Sequence, residues 1–235
     1  MSYMTHPFCD IVIPIHGALD DLKECLSTLQ AHTRDYRLIL VDDCSEREVT
    51  NFLLDFGQAN PSTILIRTFR QRWFTRASNL GMRLLRTERS VLLNSDCVLD
   101  EGWLEELFAV WDDFQVQNPQ RRIGLVGSVL SAEEPRRYAD IVQSGYVTGH
   151  AWLFSVSAFY DVSASRGMPG FYLDETKVGA AHIHSDREMC WDLNRLGMAT
   201  LMSFKSAVGH KGGRSWGHNL ALLTGLNATT LDMNR

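Results

Sequence analysis

The residues best placed to do chemistry in this chain are acidic and follow short apolar runs. Val91, Leu92 and Leu93 form a continuous apolar stretch that stops at Asn94, Ser95 and Asp96. Such a run reads as a strand buried on both faces of a parallel sheet. In open α/β sheets, ligands sit in the crevice beyond the carboxyl ends of the strands, so this strand delivers Asp96 to the place where such a fold does chemistry. The competing reading for a carboxylate after an apolar run is a helix cap or turn residue. A second run, Arg37 to Val41, ends the same way, in Asp42, Asp43, Cys44 and Ser45. Neither a GxGxxG fingerprint after the first strand nor a GxxxxGK(S/T) loop is present. An ordinary dinucleotide dehydrogenase or a P-loop enzyme is therefore disfavoured.

Periodicity supplies the elements that must hold these carboxylates. Asp10 to Ile15 reads as a first strand ending near Pro14, because proline cannot donate to a ladder; His16 and Gly17 follow as a loop. Leu22, Cys25, Leu26 and Leu29 then recur at i, i+3, i+4 and i+7, one apolar face of a helix. After the second strand, Val49, Phe52, Leu53 and Phe56 repeat that spacing. Thr63 to Ile66 is a third strand, and Ala77, Leu80, Gly81, Leu84 and Leu85 mark a third helix leading into the Asp96 strand. Strand and helix alternating with short links is the βαβ signature of a parallel sheet. Further on, Leu104, Leu107, Phe108 and Trp111 make a helix, Asn118 to Arg122 a turn, and Ile123 to Leu130 and Ala151 to Val156 two strands. Regularity fades over Ser131 to Gly149, and Met168 to Gly179 reads as loop. Ser185 to Leu196 is a helix with Met189, Leu193 and Leu196 inward and Gly197 as its stop. Thr200 to Phe204 is a late strand, and Gly209 to Gly217 reads as a glycine-rich loop. The expectation is one α/β domain with a parallel first half and a more irregular second half.

Composition narrows the class. The chain has 235 residues and a net charge of -5, with a sequence pI of about 5.9. A duplex-binding protein normally carries a basic surface, so a nucleic acid polymer is excluded as partner, while a nucleotide is not. The five cysteines are scattered and form no CxxC pair, which points to reduced thiols and a cytoplasmic location rather than a disulfide framework or zinc site. The first ten residues lack the apolar core of a signal peptide. No apolar run reaches the roughly 18 residues of a transmembrane segment, which leaves peripheral contact with the inner face of a membrane open.

The chain resembles glycosyltransferase family 2. The resemblance spans roughly Cys9 to Ser215 and rests on ordered blocks: CDIVIPIHG at the first strand, VDDCS at Val41 to Ser45, WFTRASNLG at Trp73 to Gly81 and LLNSD at Leu92 to Asp96. PGFYLDE at Pro169 to Glu175, SDREMCWDLNRLG at Ser185 to Gly197 and HKGGRS at His210 to Ser215 complete it. Asn94 replaces the first aspartate of the family's DxD pattern, Trp73 a glycine, and Ser185 a glutamate. The resemblance implies a GT-A fold, a Rossmann-like, mostly parallel sheet flanked by helices. It implies a nucleotide-binding half over about 9–97, an acceptor and catalytic half over about 98–215 and a tail over 216–235.

The activity it implies is inverting transfer of a sugar from a nucleotide diphosphate donor, UDP-linked, to a hydroxyl of a saccharide or lipid-linked acceptor. Pro14, His16, Asp42 and Asp43 are assigned to the nucleotide by resemblance. Asp43 is suited to accept from a uracil N–H, and the alternative for both aspartates is a capping pair for the helix after Ser45. Asn94 and Ser95 join that site, Asn94 through its amide to ribose or a bound water. A leaving diphosphate needs a counter-charge, which a divalent cation supplies. Magnesium and manganese take oxygen ligands and often only one or two carboxylates; Asp96 is the candidate carboxylate. His210 is the second ligand by resemblance, which tilts the choice between Mn2+ and Mg2+ towards manganese. The catalytic base is Asp186 by resemblance, with Glu188 on the following acidic position. Arg67, Arg70, Arg72 and Arg76 either pair with phosphates or form a solvated face. Trp73 and Trp152 are the expected sugar-stacking rings, and Trp103 and Trp111 are expected in the core. Two rivals stand beside transfer: a sugar nucleotidyltransferase, and a catalytically silent nucleotide- or carbohydrate-binding domain.

Overall fold

A computed structural model of the chain describes residues 8–129, 137–141, 146–168, 173 and 185–211. The first half alternates as its periodicity predicts. β1 (Cys9–Ile15), α1 (Leu19–His32), β2 (Tyr36–Asp42), α2 (Arg47–Ala59), β3 (Ile64–Arg67), α3 (Trp73–Met82) and β4 (Arg89–Leu93) follow one another. Then come β5 (Cys97–Leu99), α4 (Trp103–Gln117), β6 (Ile123–Val129), β7 (Tyr138–Asp140), β8 (Ala151–Ser155), α5 (Val156–Ser165), α6 (Ser185–Arg195) and β9 (Ala199–His210). The strand order is β3-β2-β1-β4-β8-β6-β9-β5, with β7 also on β9. Pairings β1–β2, β1–β4, β2–β3 and β6–β9 are parallel, and β8 is wedged antiparallel between β4 and β6. β3, β2, β1, β4, β6 and β9 therefore run one way, with β8, β7 and β5 against them.

The pleat sorts each strand's side chains into two cores. Ile11 and Ile13 of β1 pack with Leu22, Leu26 and Leu29 of α1 and with Leu104, Leu107 and Phe108 of α4. Val12 turns to the opposite face, with Ile39, Val41 and Leu92, under Ala77 of α3 and Phe159 of α5. α3 lies very close to the sheet at Gly81, where a Cβ would stand 2.5 Å from Val12 Cγ1 and 2.9 Å from Val41 Cγ2. Pro14 stays inside the β1–β2 ladder opposite Val41. Ile15 offers its carbonyl to Asp43 N (2.8 Å), so Pro14 turns its nitrogen the other way, beyond the last β4 partner at Val12. The missing N–H costs no ladder bond there.

Several boundaries differ from expectation. α3 stops at Met82, so Leu84 is 39% exposed rather than on its apolar face. α6 stops at Arg195, where Gly197 (φ 77) reverses the chain and leaves Leu196 43% exposed. β9 runs on through Gly209 and His210, which the sequence reads as loop; a register shift near Val129 lets it leave β6 and pair with β5. The short strands β5 and β7 have no periodic signal of their own. The tail, much of the irregular stretch from Ser131 to Gly149 and most of PGFYLDE and HKGGRS lie outside the described residues.

Candidate functional site

Two antiparallel ladders converge on the turn that follows β4. In the first, β8 pairs with β4 up to Leu93↔Ala151, and one further bond, Asn94 N to His150 O at 2.8 Å, sets His150 opposite Asn94. In the second, β5 pairs with β9 with Cys97 opposite His210. Asp96 thus lies beside a strand end more than a hundred residues away: His210 Nε2 is 3.1 Å from Asp96 Oδ1 and 3.2 Å from Asn94 Nδ2. The His150 and His210 rings stack at 5.4 Å with planes 24° apart. His150 Nδ1 meets Thr148 Oγ1 at 2.9 Å. Burial, with His210 beside it, holds the His150 imidazole down at about 4, so it is neutral at neutral pH. Its Nε2 and Asn94 Oδ1 are buried and have no hydrogen-bond partner among the described residues. Cys25 and Cys97 floor the turn, their thiols donating to Asn94 O and His150 O; all five cysteines are free thiols. Asp96 and Ser95 are each 5% exposed.

The second acidic strand end is tied inward. Asp42 Oδ1 accepts from Ser45 N (2.9 Å), and Oδ2 accepts from Thr50 Oγ1 (3.0 Å) and from Arg67. Burial would raise this carboxyl, but the Ser45, Arg67 and Thr50 bonds outweigh it and hold the group below its ordinary range. Asp43 accepts from Thr68 Oγ1, Arg72 N and Trp73 N, each at 2.8 Å. Burial, against those bonds, leaves its carboxyl raised. It fixes the loop between β3 and α3, and its backbone carbonyl lies 2.8 Å from His16 Nδ1. Trp73 has φ 68, in the left-handed region that favours glycine. A glycine at this position in the resembled block thus has a backbone reason, and the Asp43 bond to Trp73 N holds the tryptophan there.

Asp186, in the first turn of α6, reaches the same region through a different loop. Gly149 N donates to Asp186 Oδ2 at 3.2 Å, and a Cβ on Gly149 would meet Asp186 Cβ at 3.0 Å. Thr148, Gly149 and His150 therefore bridge α6 to the turn holding Asp96. The roles of two site-shaping residues were not legible in the sequence. His150 sits in a stretch without periodicity and is placed only by the β4–β8 ladder. Asn79 is fully buried and spends its amide on Leu173, donating to its carbonyl and accepting from its N–H, both at 2.8 Å. That ties α3 to the PGFYLDE stretch; the signal was Asn79's place in one block and Leu173's in another. One expectation is corrected: Trp152 is 1% exposed, packs edge-on against Phe159 and donates Nε1 to Val147 O, so it has no face for a sugar. Trp103 and Trp111 lie in the core as expected.

The model of Glycosyl transferase family 2 matches residues 10–162. The pre-mycofactocin glycosyltransferase of Mycobacterium tuberculosis, in strains CDC 1551 and H37Rv, is 26% identical over 204 residues. That stretch is 82% of this chain and 40% of the relative, so the chain spans well under half the length of the curated relatives it matches. Among solved structures, the mannosyltransferase PcManGT of Pyrobaculum calidifontis in complex with GDP-Man and Mn2+ aligns with TM-score 0.64 at 15% identity, over 92% of this chain and 60% of its own. GalNAc-T7 with UDP, GalNAc and Mn2+ aligns with TM-score 0.65 at 17% identity, over 86% and 43%. S. aureus TarS 1-349 aligns with TM-score 0.61 at 11% identity, over 92% and 64%. The fold is that of GT-A glycosyltransferases, and with more than half its length matched by the family model, the chain belongs to glycosyltransferase family 2.

Proposed function

We propose that the chain is an inverting, metal-dependent glycosyltransferase that moves a sugar from a UDP-linked donor to a hydroxyl of a saccharide or lipid-linked acceptor, in polysaccharide or glycoconjugate biosynthesis. The observation that carries this reading is the meeting of Asp96 and His210 at 3.1 Å beyond the end of β4. Two neighbouring ligands of an octahedral ion with bonds of about 2.1 Å stand about 3 Å apart, so this pair fits a divalent cation. Among the described residues no three His, Cys, Asp or Glu side chains converge into a closed cage. A carboxylate and an imidazole completed by substrate phosphates and water match that, with Mn2+ or Mg2+ as the ion. When bound, the ion supplies Lewis-acid stabilisation of the leaving diphosphate. The Mn2+ printed for two structural neighbours, and their GDP-Man or UDP, support the same class of ligand.

The chain's own residues divide the remaining work. Pro14, His16, Asp42, Asp43, Asn94 and Ser95 line the strand ends on the nucleotide side, in a donor half of about 9–97. Asp43 acts there through the β3–α3 loop and His16 that it holds. Asp186 takes the proton of the acceptor hydroxyl as that oxygen attacks the anomeric carbon. The bond to the diphosphate breaks on the opposite face, so one displacement inverts the centre and no protein nucleophile is needed. The α6 N-terminus favours the ionised form a base requires.

The test is thermal stability with UDP in manganese and in excess chelator, followed by a panel of labelled nucleotide sugars. A ligand that binds only the native state raises the melting temperature. The expected outcome is a larger UDP shift in manganese, and release of nucleoside diphosphate from one donor. Equal shifts in both conditions remove the metal. Pyrophosphate release indicates nucleotidyl transfer instead, and binding without turnover a silent domain.

A further inference from the structure

We infer that the loop between β3 and α3, residues 68–72, is a docking patch for an anionic lipid surface, a role that goes beyond sugar transfer and does not rest on it. Its tip is Phe69, 100% exposed. A single exposed apolar side chain is ordinary; what distinguishes this one is its company. Arg70 and Arg72 flank it, both exposed, and neither guanidinium has a partner among the described residues. Arg67, at the base of the loop, is already spent on Asp42 and on Ser45 O. Residues 67–76 hold four arginines and no acid, in a chain whose net charge is -5. The basic charge here is local and runs against the rest of the molecule.

The tip is also held outward. Thr68 N donates to Asp42 O at 2.9 Å, and the buried Asp43 carboxylate accepts from Thr68 Oγ1, Arg72 N and Trp73 N. A loop fixed in this way loses little freedom on docking. Aromatic side chains settle at the headgroup level of a bilayer, and arginine forks match phosphate oxygens. Neither signal alone anchors a protein, whereas an apolar insertion beside a basic patch gives reversible attachment. A soluble polyanion would use the arginines and leave Phe69 in water, and an overall acidic chain would repel its length. The loop projects from the carboxyl-end edge of the sheet, the edge that carries His16, Asp43 and Asp96. Docking through it brings that edge towards the membrane surface.

The test is co-sedimentation of the full chain with vesicles of phosphatidylcholine alone or mixed with phosphatidylglycerol, at low and high salt. Wild type is expected on the mixed vesicles only, and less so at high salt, because the screening length shrinks from about 10 Å at 0.1 M to about 3 Å at 1 M. Phe69→Ser and the double variant Arg70→Gln/Arg72→Gln should each weaken partitioning about tenfold, the scale set by burying one aromatic ring or pairing one or two basic groups. Phe69→Trp should bind at least as well as wild type. Melting temperature should not move in any of them, since Arg72 keeps its backbone bond to Asp43. The inference is overturned if wild type ignores mixed vesicles at low salt or binds both kinds equally. It also fails if Phe69→Ser binds like wild type, which marks a charge-only site, or if the arginine variant loses UDP affinity in step with vesicle binding, which gives the arginines to the donor.

Discussion

Asp96 and Asn94 lie two positions apart and both face His210, yet they differ in what they offer a cation: a full charge against a neutral dipole. Asp96→Ala is therefore expected to remove most turnover and the manganese-dependent part of UDP stabilisation. That loss should exceed the roughly 10–100-fold typical of residues that only support a ligand. Asn94→Ala should stay within that range. Turnover and melting shift measured on both variants decide it, and the reverse ranking would move the metal to Asn94. Asp186 is separable from a simple helix cap. Asp186→Asn keeps an oxygen to accept from Gly149 N, so the Thr148–His150 bridge survives. Turnover should fall about 10²–10⁴-fold with UDP affinity kept, whereas losing a cap costs only about 0.5–2 kcal/mol of stability. If Glu188→Gln loses turnover and Asp186→Asn does not, the base is Glu188. The places of Asp43 and Asp96, just beyond β2 and β4, were legible because each follows an apolar run. The Asp43 bonds to Arg72 and Trp73 were not, because they depend on where a loop some thirty residues later returns.

The helices and strands from β1 to β4 were read from local spacing alone, since each buries one face against an adjacent neighbour. β5 and β7 are three residues each, too short to carry a period, and exist only because β9 passes beside them. α3 ends where the chain must turn into β4, a tertiary demand that the apolar Leu84 and Leu85 did not reveal. The close seat of α3 has a measurable cost of disturbance. Gly81→Ala would drive a methyl into the Val12 and Val41 side chains, whose short, branched ends cannot swing away. Overpacking of this kind costs about 1–3 kcal/mol, or roughly 2–4 °C of melting temperature per kcal/mol in a chain of this size. An unchanged melting curve for Gly81→Ala would mean that α3 sits further from the sheet. Asn79→Ala should cost about 1–3 kcal/mol as well, because it leaves Leu173's N–H and carbonyl buried without partners.

The two halves of the molecule share one sheet, and its foot is pinned by a buried charge. Asp10 carries an Arg37 guanidinium on both oxygens, at 2.7 and 2.8 Å, together with the backbone N–H groups of Arg86 and Thr87. Burial would raise its carboxyl, but those partners prevail and lower it. A carboxyl depressed on folding stabilises the native state above its unfolded value of about 3.9 and loses that contribution as pH falls through the folded value. Urea unfolding from pH 7 to pH 2.5 should show stability falling below about pH 4. Asp10→Asn should start lower, by about 1–3 kcal/mol, since it takes the charge from a hydrogen-bonded pair while Arg37 keeps its bond to Leu84 O, and should decline less steeply. Parallel pH curves for the two proteins would give the acid limb to other carboxylates. The parallel half of the sheet was legible as a βαβ series, but the reversed strand that joins it to the rest was not. Ala151–Ser155 looks like any apolar strand, and its direction is decided by neighbours on both sides.

That reversed strand also governs how the protein can be made. β4 and the β8 segment that covers its flank are separated by roughly sixty residues of chain, and synthesis runs at about 5–20 residues per second. For several seconds on the ribosome, a nascent chain already able to form β1 to β4 carries an open apolar edge at Val91, Leu92 and Leu93, the template on which strands mispair between molecules. Expression yield should therefore respond to translation speed and chaperone supply across this interval, and residues 151–155 act as the chain's own safeguard against aggregation.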